Sequence, residues 1–486
     1  MPNTYKNFIG GDWVGAASGQ TFQTTNPADS TEVVAVYPRS GRSEAQQGFA
    51  AAGQAFPGWS AMTPVARGRF LSHASQILAG RKAALAQLLT REEGKTLAEA
   101  TGEVQRAIDI LRFYGGISYT LGGQTLPHDL PGNLLYTRRD PLGVVALITP
   151  WNFPVAIPTW KAAPALLCGN AVVIKPASAS PALTCELALA LAESGLPKGV
   201  FNVIVGDGAA FGEEVVSNPD VAAVSFTGSR PVGTSLYRGL AHRMVRNQME
   251  MGGKNPTIIL ADADLDLAAR LVVAAGFGLT GQACTATSRV IVERSVLAQF
   301  TDKLLARTHA IVVGNGLKDG VTMGPAVNPS QLDTNLEYIR VALSEGATLL
   351  SGGHRLSDGD FARGWFLEPT VLGDVAPGSR LACEEVFGPV IGLIPVDTFD
   401  EAISVANGVE FGLSASLVTR DFAKAMRYVD RIQAGVVKVN QISTGLALQA
   451  PFGGMKASST DSFREQGVAA FDFYTRSRTV YLDYSA

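Results

Sequence analysis

The chain has 486 residues, with 40 basic against 43 acidic side chains and a net charge of −3, a balance that argues against a nucleic-acid binder or a polybasic membrane binder. Hydrophobic residues at 46% and charged ones at 17% exclude a disordered chain, and the length supports several buried cores without disulfide or metal staples. The opening Met1-Pro2-Asn3-Thr4-Tyr5-Lys6 is no basic stretch before an apolar one, and no apolar run approaches the roughly 20 residues of a membrane span. The expectation is a soluble cytoplasmic protein.

Residues 43–118 read as helical, because Ala45–Ala55 and Arg67–Glu93 space apolar residues three and four apart. Short apolar runs then alternate with helices. Strands are predicted at Val144–Thr149, Ala171–Lys175, Val200–Val205 and Ala222–Phe226, and helices at Ala163–Leu167, Pro181–Ser194 and Ala209–Ser217. The second half repeats the theme, with strands at Pro256–Leu260, Arg289–Val292 and Val436–Asn440. Its helices fall at Leu265–Phe277, Val296–Ala310, Pro329–Glu345 and Thr398–Ala406. Such alternation predicts an α/β fold built on doubly wound parallel sheets. The polar Asp129–Asp140, with Pro131-Gly132, reads as a protruding hairpin arm. Arg476–Leu482 reads as an edge strand of the kind often paired across a subunit contact.

Of the four cysteines, Cys168, Cys185, Cys284 and Cys383, no two stand at C-x-x-C spacing, so neither a metal site nor a disulfide framework is expected. Cys168 and Cys185 sit on apolar helix faces and read as core. Cys284, in Gly281-Gln282-Ala283-Cys284-Thr285-Ala286-Thr287 between a helix and a strand, is either a nucleophilic thiol among loop amides or another small buried side chain. Glu250 precedes Gly252-Gly253, which let a ligand approach closely; it reads as a general base in an apolar pocket or as a solvated helix-end acid.

Two segments are candidates for holding phosphate. Gly206-Asp207-Gly208-Ala209-Ala210-Phe211-Gly212 follows a strand and opens a helix. Its third glycine comes one residue late for G-x-G-x-x-G, so a plain tight turn is the better reading. Phe226-Thr227-Gly228-Ser229 also follows a strand. Lys175 puts a cation at a strand's carboxyl end, where α/β sheets bind ligands. In Pro150-Trp151-Asn152-Phe153-Pro154, Asn152 either donates to a developing oxyanion or simply shapes a turn.

In this order PWNFP, KP, FTGS, EMGGKNP, GQACTA, EEVFGP and APFGGMK resemble the aldehyde dehydrogenase superfamily over essentially the whole chain. The resemblance implies a Rossmann-like cofactor domain at 1–120 and 141–251 and an α/β catalytic domain at 252–460. A small β arm at 121–140, with a C-terminal strand within 461–486, would join copies into a homodimer or homotetramer. Cys284 would match the nucleophile that forms a thiohemiacetal and then a thioester, and Asn152 with the Cys284 N–H the oxyanion hole. Glu250 would match the base that activates water. Relatives that pass the acyl group to coenzyme A tend to lack that acid, so the resemblance implies a hydrolytic, acid-forming enzyme. Lys175 and Glu385 would hold the cofactor riboses and Phe387 would pack near the nicotinamide. Ile148, Thr149, Pro150, Trp151, Ser178, Gly208, Gly212, Phe226, Thr227, Gly228, Ser229, Val232, Met251 and Gly252 would line the rest of the cofactor cleft. Glu465 resembles a second acid near the water exit.

The departures from the family pattern are informative. Members strict for NAD often carry Glu where this chain has Ser178, so NADP is expected to be accepted, with NAD still possible and Arg230 either adding charge or lying in solvent. Lys456-Ala457-Ser458-Ser459-Thr460 replaces the commoner K-x-S-G, which bears on Glu465. The substrate tunnel would be lined by Phe153, Ile157, Trp160, Thr285, Thr444, Leu446 and Arg106. A guanidinium at Arg106, where the family usually has an apolar residue, would clamp a substrate carboxylate, unless it pairs with Glu103 or Asp109 on its own helix. Together these runs look most like the group that oxidises 2,5-dioxopentanoate to 2-oxoglutarate. A succinate semialdehyde or broad-range enzyme comes next, and a non-catalytic structural relative is remote because Cys284, Glu250 and Asn152 are all present.

Overall fold

The computed structural model describes residues 2–485. Its architecture follows from apolar runs that only a doubly covered sheet can bury. Val144–Ile148 and Ala171–Lys175 are almost wholly apolar and pair in parallel, from Val144 with Ala171 to Ile148 with Lys175. Val221–Thr227 and Arg246–Glu250 extend the sheet on one side and Phe201–Val203 on the other, all parallel. Asn7–Ile9 and Asp12–Val14 close that far edge antiparallel, giving seven strands. Successive side chains feed two cores. Val145, Leu147, Val172 and Ile174 pack with the long helices Pro64–Glu93 and Leu97–Gly116, whereas Val144, Ala146 and Val173 pack with Ala45, Phe49 and Phe211. Thr63 and Thr96 cap those helices by accepting the Ala66 and Glu99 N–H groups, and Gly94 at φ 99° ends the first.

A second seven-stranded sheet runs Thr348–Ser351, Thr370–Gly373, Val390–Val396, Thr287–Glu293, Asn255–Ile259, Ser414–Val418, Val436–Val439. Only its first strand is antiparallel. Ile258 and Ile291 face one core while Ile259, Val290 and Val292 face the other. A third, small sheet pairs Thr475–Asp483 antiparallel with Asn133–Pro141, and Thr125–Leu126 completes it. No helix among the described residues is long and apolar enough to cross a membrane.

The expected α/β alternation is present, with three kinds of difference. The helical stretch 43–118 is three helices, Arg42–Ala61, Pro64–Glu93 and Leu97–Gly116. The helix expected at Ala163–Leu167 begins at Ala156; Pro158 lies in its first turn, where no N–H is required of it. The N-terminal strands, with the Thr21–Asn26 and Asp29–Pro38 hairpin, and the strands Thr370–Gly373, Val390–Val396 and Ser414–Val418 have no predicted counterpart.

Candidate active site

Cys284 lies in the turn between the Leu265–Phe277 helix and the Thr287–Glu293 strand. The chain reaches it through three successive left-handed residues, Leu279 (φ 54°), Thr280 (φ 57°) and Gly281 (φ 67°), a strained path of about 1–3 kcal/mol for each non-glycine residue. A Cβ at Gly281 would lie 2.2 Å from the Gly388 carbonyl oxygen. Side chains hold the turn in place. Asn255 Nδ2 donates to the Cys284 and Ala286 carbonyls at 2.8 and 2.9 Å, and Ser443 Oγ donates to the Thr285 carbonyl at 2.8 Å. Burial, with Glu385, Glu250 and Glu465 nearby, pushes the Cys284 thiol up to about 12. The sulfur is therefore protonated at rest, and a thiolate forms only as its proton is taken or as positive charge approaches.

The first sheet brings Asn152 to this turn. Its Nδ2 donates to the Gln282 carbonyl at 2.9 Å, which leaves the second amide hydrogen free. Its own carbonyl accepts from Lys95 Nζ at 2.7 Å. Lys95 also pairs with Glu103 at 2.6 Å, and the other Glu103 oxygen accepts the Val155 and Ala156 N–H groups at 3.0 and 3.1 Å. One buried ion pair thus seats both Asn152 and the start of the Ala156–Leu167 helix.

Glu250 ends its strand fully buried. Its Oε1 accepts from Ser459 Oγ at 2.8 Å and its Oε2 from the Gly454 N–H at 3.1 Å. Burial and the neighbouring Glu465 raise its pKa to about 8 against those two donors. Glu465 in turn accepts from Trp160 Nε1 at 2.8 Å and pairs with Lys161, whose Nζ also donates to Ser225 Oγ at 2.7 Å. A carboxyl whose ionisation is opposed by burial thus stands in the same buried site as the thiol.

The groups expected to hold a cofactor gather at the carboxyl ends of the first sheet's strands. Thr149 and Thr227 each bury a hydroxyl that meets no partner, and Lys175 Nζ donates only to the Pro176 carbonyl, at 3.0 Å. Burial draws that ammonium down to about 8. These unspent donors fit a polar ligand carrying hydroxyls and phosphates. Of the two phosphate candidates, the first is already filled: Asp207 Oδ1 accepts the Ala209 and Ala210 N–H groups at 2.7 and 3.3 Å. In that segment Gly208 lies beside Lys175 and Gly212 faces Leu236 of the next helix. The second is open, because Ser229 caps the Arg230–Ala241 helix without a side-chain bond. There a Cβ at Gly228 would lie 2.7 Å from the Phe226 ring, and the Gly228 N–H donates to the Glu250 carbonyl at 3.1 Å. Val232, one turn along, is half exposed.

Glu385 Oε1 accepts the Gly253 N–H at 2.8 Å, and burial raises this acid to about 7. Gly252 packs against this acid, and a Cβ there would lie 2.0 Å from Glu385 Oε2 and displace its carboxyl. Phe387, at φ 59°, sets its ring edge-on to Trp151 at 5.4 Å. Pro150 and Ile148 lie at the same strand end, half-buried, and Met251 is buried, its N–H bonded to the Ser458 carbonyl. Ser178 Oγ donates to the Gly206 carbonyl at 3.1 Å, while Arg230 pairs with Glu410 at the surface.

Among the expected tunnel residues, Ile157, Trp160 and Thr285 are buried, and Phe153, Thr444 and Leu446 half-buried. Phe153 stacks under Lys95 at 4.7 Å. Arg106 takes neither partner on its own helix: Glu103 belongs to Lys95, and Asp109 accepts from Gln105. Instead its Nη2 donates to Gln466 Oε1 at 2.7 Å, next to Glu465, with burial lowering the guanidinium pKa. Two further residues, Lys95 and Ser443, lie in no motif singled out above, while Asn255, Gln282 and Ser459 lie inside quoted motifs without having been assigned a role there.

Residues 13–480 match the aldehyde dehydrogenase family. The chain is 48% identical over 484 residues to an alpha-ketoglutarate semialdehyde dehydrogenase of Haloferax volcanii, covering 100% of both chains. It is 45% identical to an alpha-ketoglutaric semialdehyde dehydrogenase of Bacillus subtilis, covering 99% of this chain and 98% of the relative. Among solved structures, an NAD-dependent aldehyde dehydrogenase from Sinorhizobium meliloti superposes with a TM-score of 0.97 at 33% identity, over 100% of this chain and 96% of that one.

Proposed function

The chain belongs to the aldehyde dehydrogenase family, oxidoreductases that act on aldehydes with NAD or NADP, and from that premise we propose that it oxidises 2,5-dioxopentanoate to 2-oxoglutarate by way of a Cys284 thioester. The observation that carries the chemistry is the meeting of three groups in one buried site. The Asn152 amide is bonded 2.9 Å from the carbonyl of Gln282, two residues before Cys284, and Glu250 influences the same thiol. Cys284 Sγ bonds the aldehyde carbon while the thiol proton passes to water. The negative charge that develops on the carbonyl oxygen meets the free hydrogen of the Asn152 amide, a donor already in place before the charge appears. A nicotinamide dinucleotide, when bound, would supply the two-electron oxidation that converts this adduct into the Cys284 thioester. Glu250 then takes a proton from water as the water oxygen bonds the acyl carbon; the C–S bond breaks and its electron pair stays on sulfur.

Lys175, Glu385, Thr149, Thr227 and Ser229 are the residues that would hold the dinucleotide. Ser178 carries no charge to repel a 2′-phosphate, which supports acceptance of NADP beside NAD. The choice of aldehyde rests on Arg106 and on the activities for which the Haloferax and Bacillus relatives are named. With Nη2 committed to Gln466, the remaining guanidinium N–H groups are free to take a substrate carboxylate.

The test compares kcat/KM for 2,5-dioxopentanoate with that for pentanal, in the wild type and in Arg106→Ala. Removing one partner of a desolvated charge pair costs about 2–5 kcal/mol, so the variant is expected to lose tens to thousands of fold on the dioxo acid and little on pentanal. Equal values for both aldehydes in the wild type would remove the semialdehyde assignment and leave a broad-range oxidiser.

A further inference from the structure

We propose that Ser459 is a positioning residue for hydrolysis: its hydroxyl bond to Glu250 orients that carboxyl and favours its ionised form, so that it can activate water. This rests on reading Glu250 as the base. In the family pattern the residue here is usually glycine, with no side chain to offer.

Ser459 Oγ donates to Glu250 Oε1 at 2.8 Å and accepts the Asp461 N–H at 3.1 Å, so the hydroxyl is engaged on both sides. A hydroxyl that donates to a carboxyl oxygen favours the carboxylate over the carboxylic acid. The backbone around it is clamped. Glu250 and Ser459 form an antiparallel bridge, the Met251 N–H donates to the Ser458 carbonyl at 2.8 Å, and Ser458 Oγ donates to the Gly252 carbonyl at 2.8 Å. The Ser459 backbone is thus held beside Glu250 by that pairing. The Gly454 N–H, 3.1 Å from Oε2, fixes the second oxygen.

Other charges face Glu250 as well. Glu465 opposes its ionisation and Lys161 favours it. The Arg464 guanidinium lies over Gly453, where a Cβ would be 2.8 Å from Arg464 Nη1 and 2.9 Å from Glu250 Oε1. None of these charged groups donates a hydrogen bond to Glu250; Ser459 is the one side chain among the described residues that does. Removing its hydroxyl leaves a buried carboxyl with one donor instead of two, beside an undiminished Glu465.

Hydrolysis of p-nitrophenyl acetate isolates the effect, because it needs neither cofactor nor a known aldehyde. Cys284 Sγ bonds the acetyl carbon, nitrophenolate leaves with the electron pair, and the thiol proton goes to water; the thioester is then hydrolysed as above. Stopped-flow records at pH 6.5–9.5 separate the first turnover from the steady rate. In Ser459→Ala the steady rate at pH 7 is expected to fall about tenfold and its alkaline-rising limb to move up by about one pH unit. The first turnover should stay within about twofold of wild type, with an amplitude near one nitrophenolate per chain. That amplitude also shows that the variant is folded. Ser459→Thr, which keeps the hydroxyl, should restore the wild-type limb.

An unchanged limb in Ser459→Ala, or equal losses in the first turnover and the steady rate, would overturn the proposal. Glu250→Gln tests the reading beneath it. One turnover and then arrest upholds Glu250 as the base whatever Ser459 does; undiminished steady turnover in Glu250→Gln removes the base, and the role of Ser459 with it.

Discussion

Asn152 shows how one side chain can be both anchored and available. One amide hydrogen is given to the Gln282 carbonyl and the backbone carbonyl is held by Lys95, so the second hydrogen is aimed without any reorganisation during the reaction. Losing a donor of this kind usually costs about 100–1,000-fold in kcat. Asn152→Ala is therefore expected to lower kcat by that factor with KM nearly unchanged, while Cys284 still alkylates with iodoacetamide at the wild-type rate; a loss confined to KM would show that the amide binds the ground state instead. At this scale Cys284 and Asn152 stand out because each sits in a turn rich in glycine or proline after a predicted helix or strand, and Glu250 because Gly252-Gly253 follow it. Lys95 does not. It follows Arg91-Glu92-Glu93-Gly94, a charged run at a helix end that would normally face solvent, yet Glu92, Glu93 and Lys95 are all buried. Arg106 was legible as an anomaly, but its partner Gln466 lies 360 positions away, beyond any spacing rule.

Between elements, the Lys95–Glu103 pair does what a cap normally does. The Ala156–Leu167 helix has no side-chain cap at Val155; Glu103, from a different helix, accepts its first amides instead. Burial pushes the Lys95 ammonium down, but Glu103 and Glu93 more than reverse this, and its pKa ends above the ordinary lysine value. Breaking a buried pair from one side leaves an uncompensated charge, at a cost of about 3–5 kcal/mol. Lys95→Met should thus lower the thermal midpoint clearly and also reduce kcat, because the loop bearing Asn152 loses its support. A variant with unaltered melting and turnover would show that the helix start is held by other contacts. The same scale explains which elements the sequence revealed. Runs such as Val144–Ile148 declare themselves by unbroken apolarity, whereas Ser414–Val418 mixes serines with apolar residues and is still wholly buried. Its serines bond backbone carbonyls, Ser414 that of Ser443 and Ser416 that of Gln441, so polarity along the strand hid its place in the sheet.

For the whole molecule, the small sheet formed by Asn133–Pro141 and Thr475–Asp483 presents surface that one copy leaves open. Tyr481, Leu482 and Tyr484 are 69%, 44% and 67% exposed, and Leu130 and Leu134 nearby are 63% and 38%. Thr475–Asp483 is also the edge strand of its sheet, with one side unpaired. Exposed edges joined to apolar patches mark association surfaces more often than free ones, and pairing two such edges by a two-fold axis would bury both at once. Charge placed there should be felt in assembly before it is felt in the fold, because the large sheets and their cores lie elsewhere in the chain. With a wild type expected to sediment as two or four chains, the double variant Tyr481→Glu/Leu482→Glu is expected to sediment as one at micromolar concentration. Its first-turnover amplitude with p-nitrophenyl acetate should be retained, since Cys284, Asn152 and Glu250 all come from the two large sheets and their loops. A double variant that still sediments like the wild type would move the subunit contact to another face. A wild type that is itself a single chain would mean that this edge serves no pairing at all.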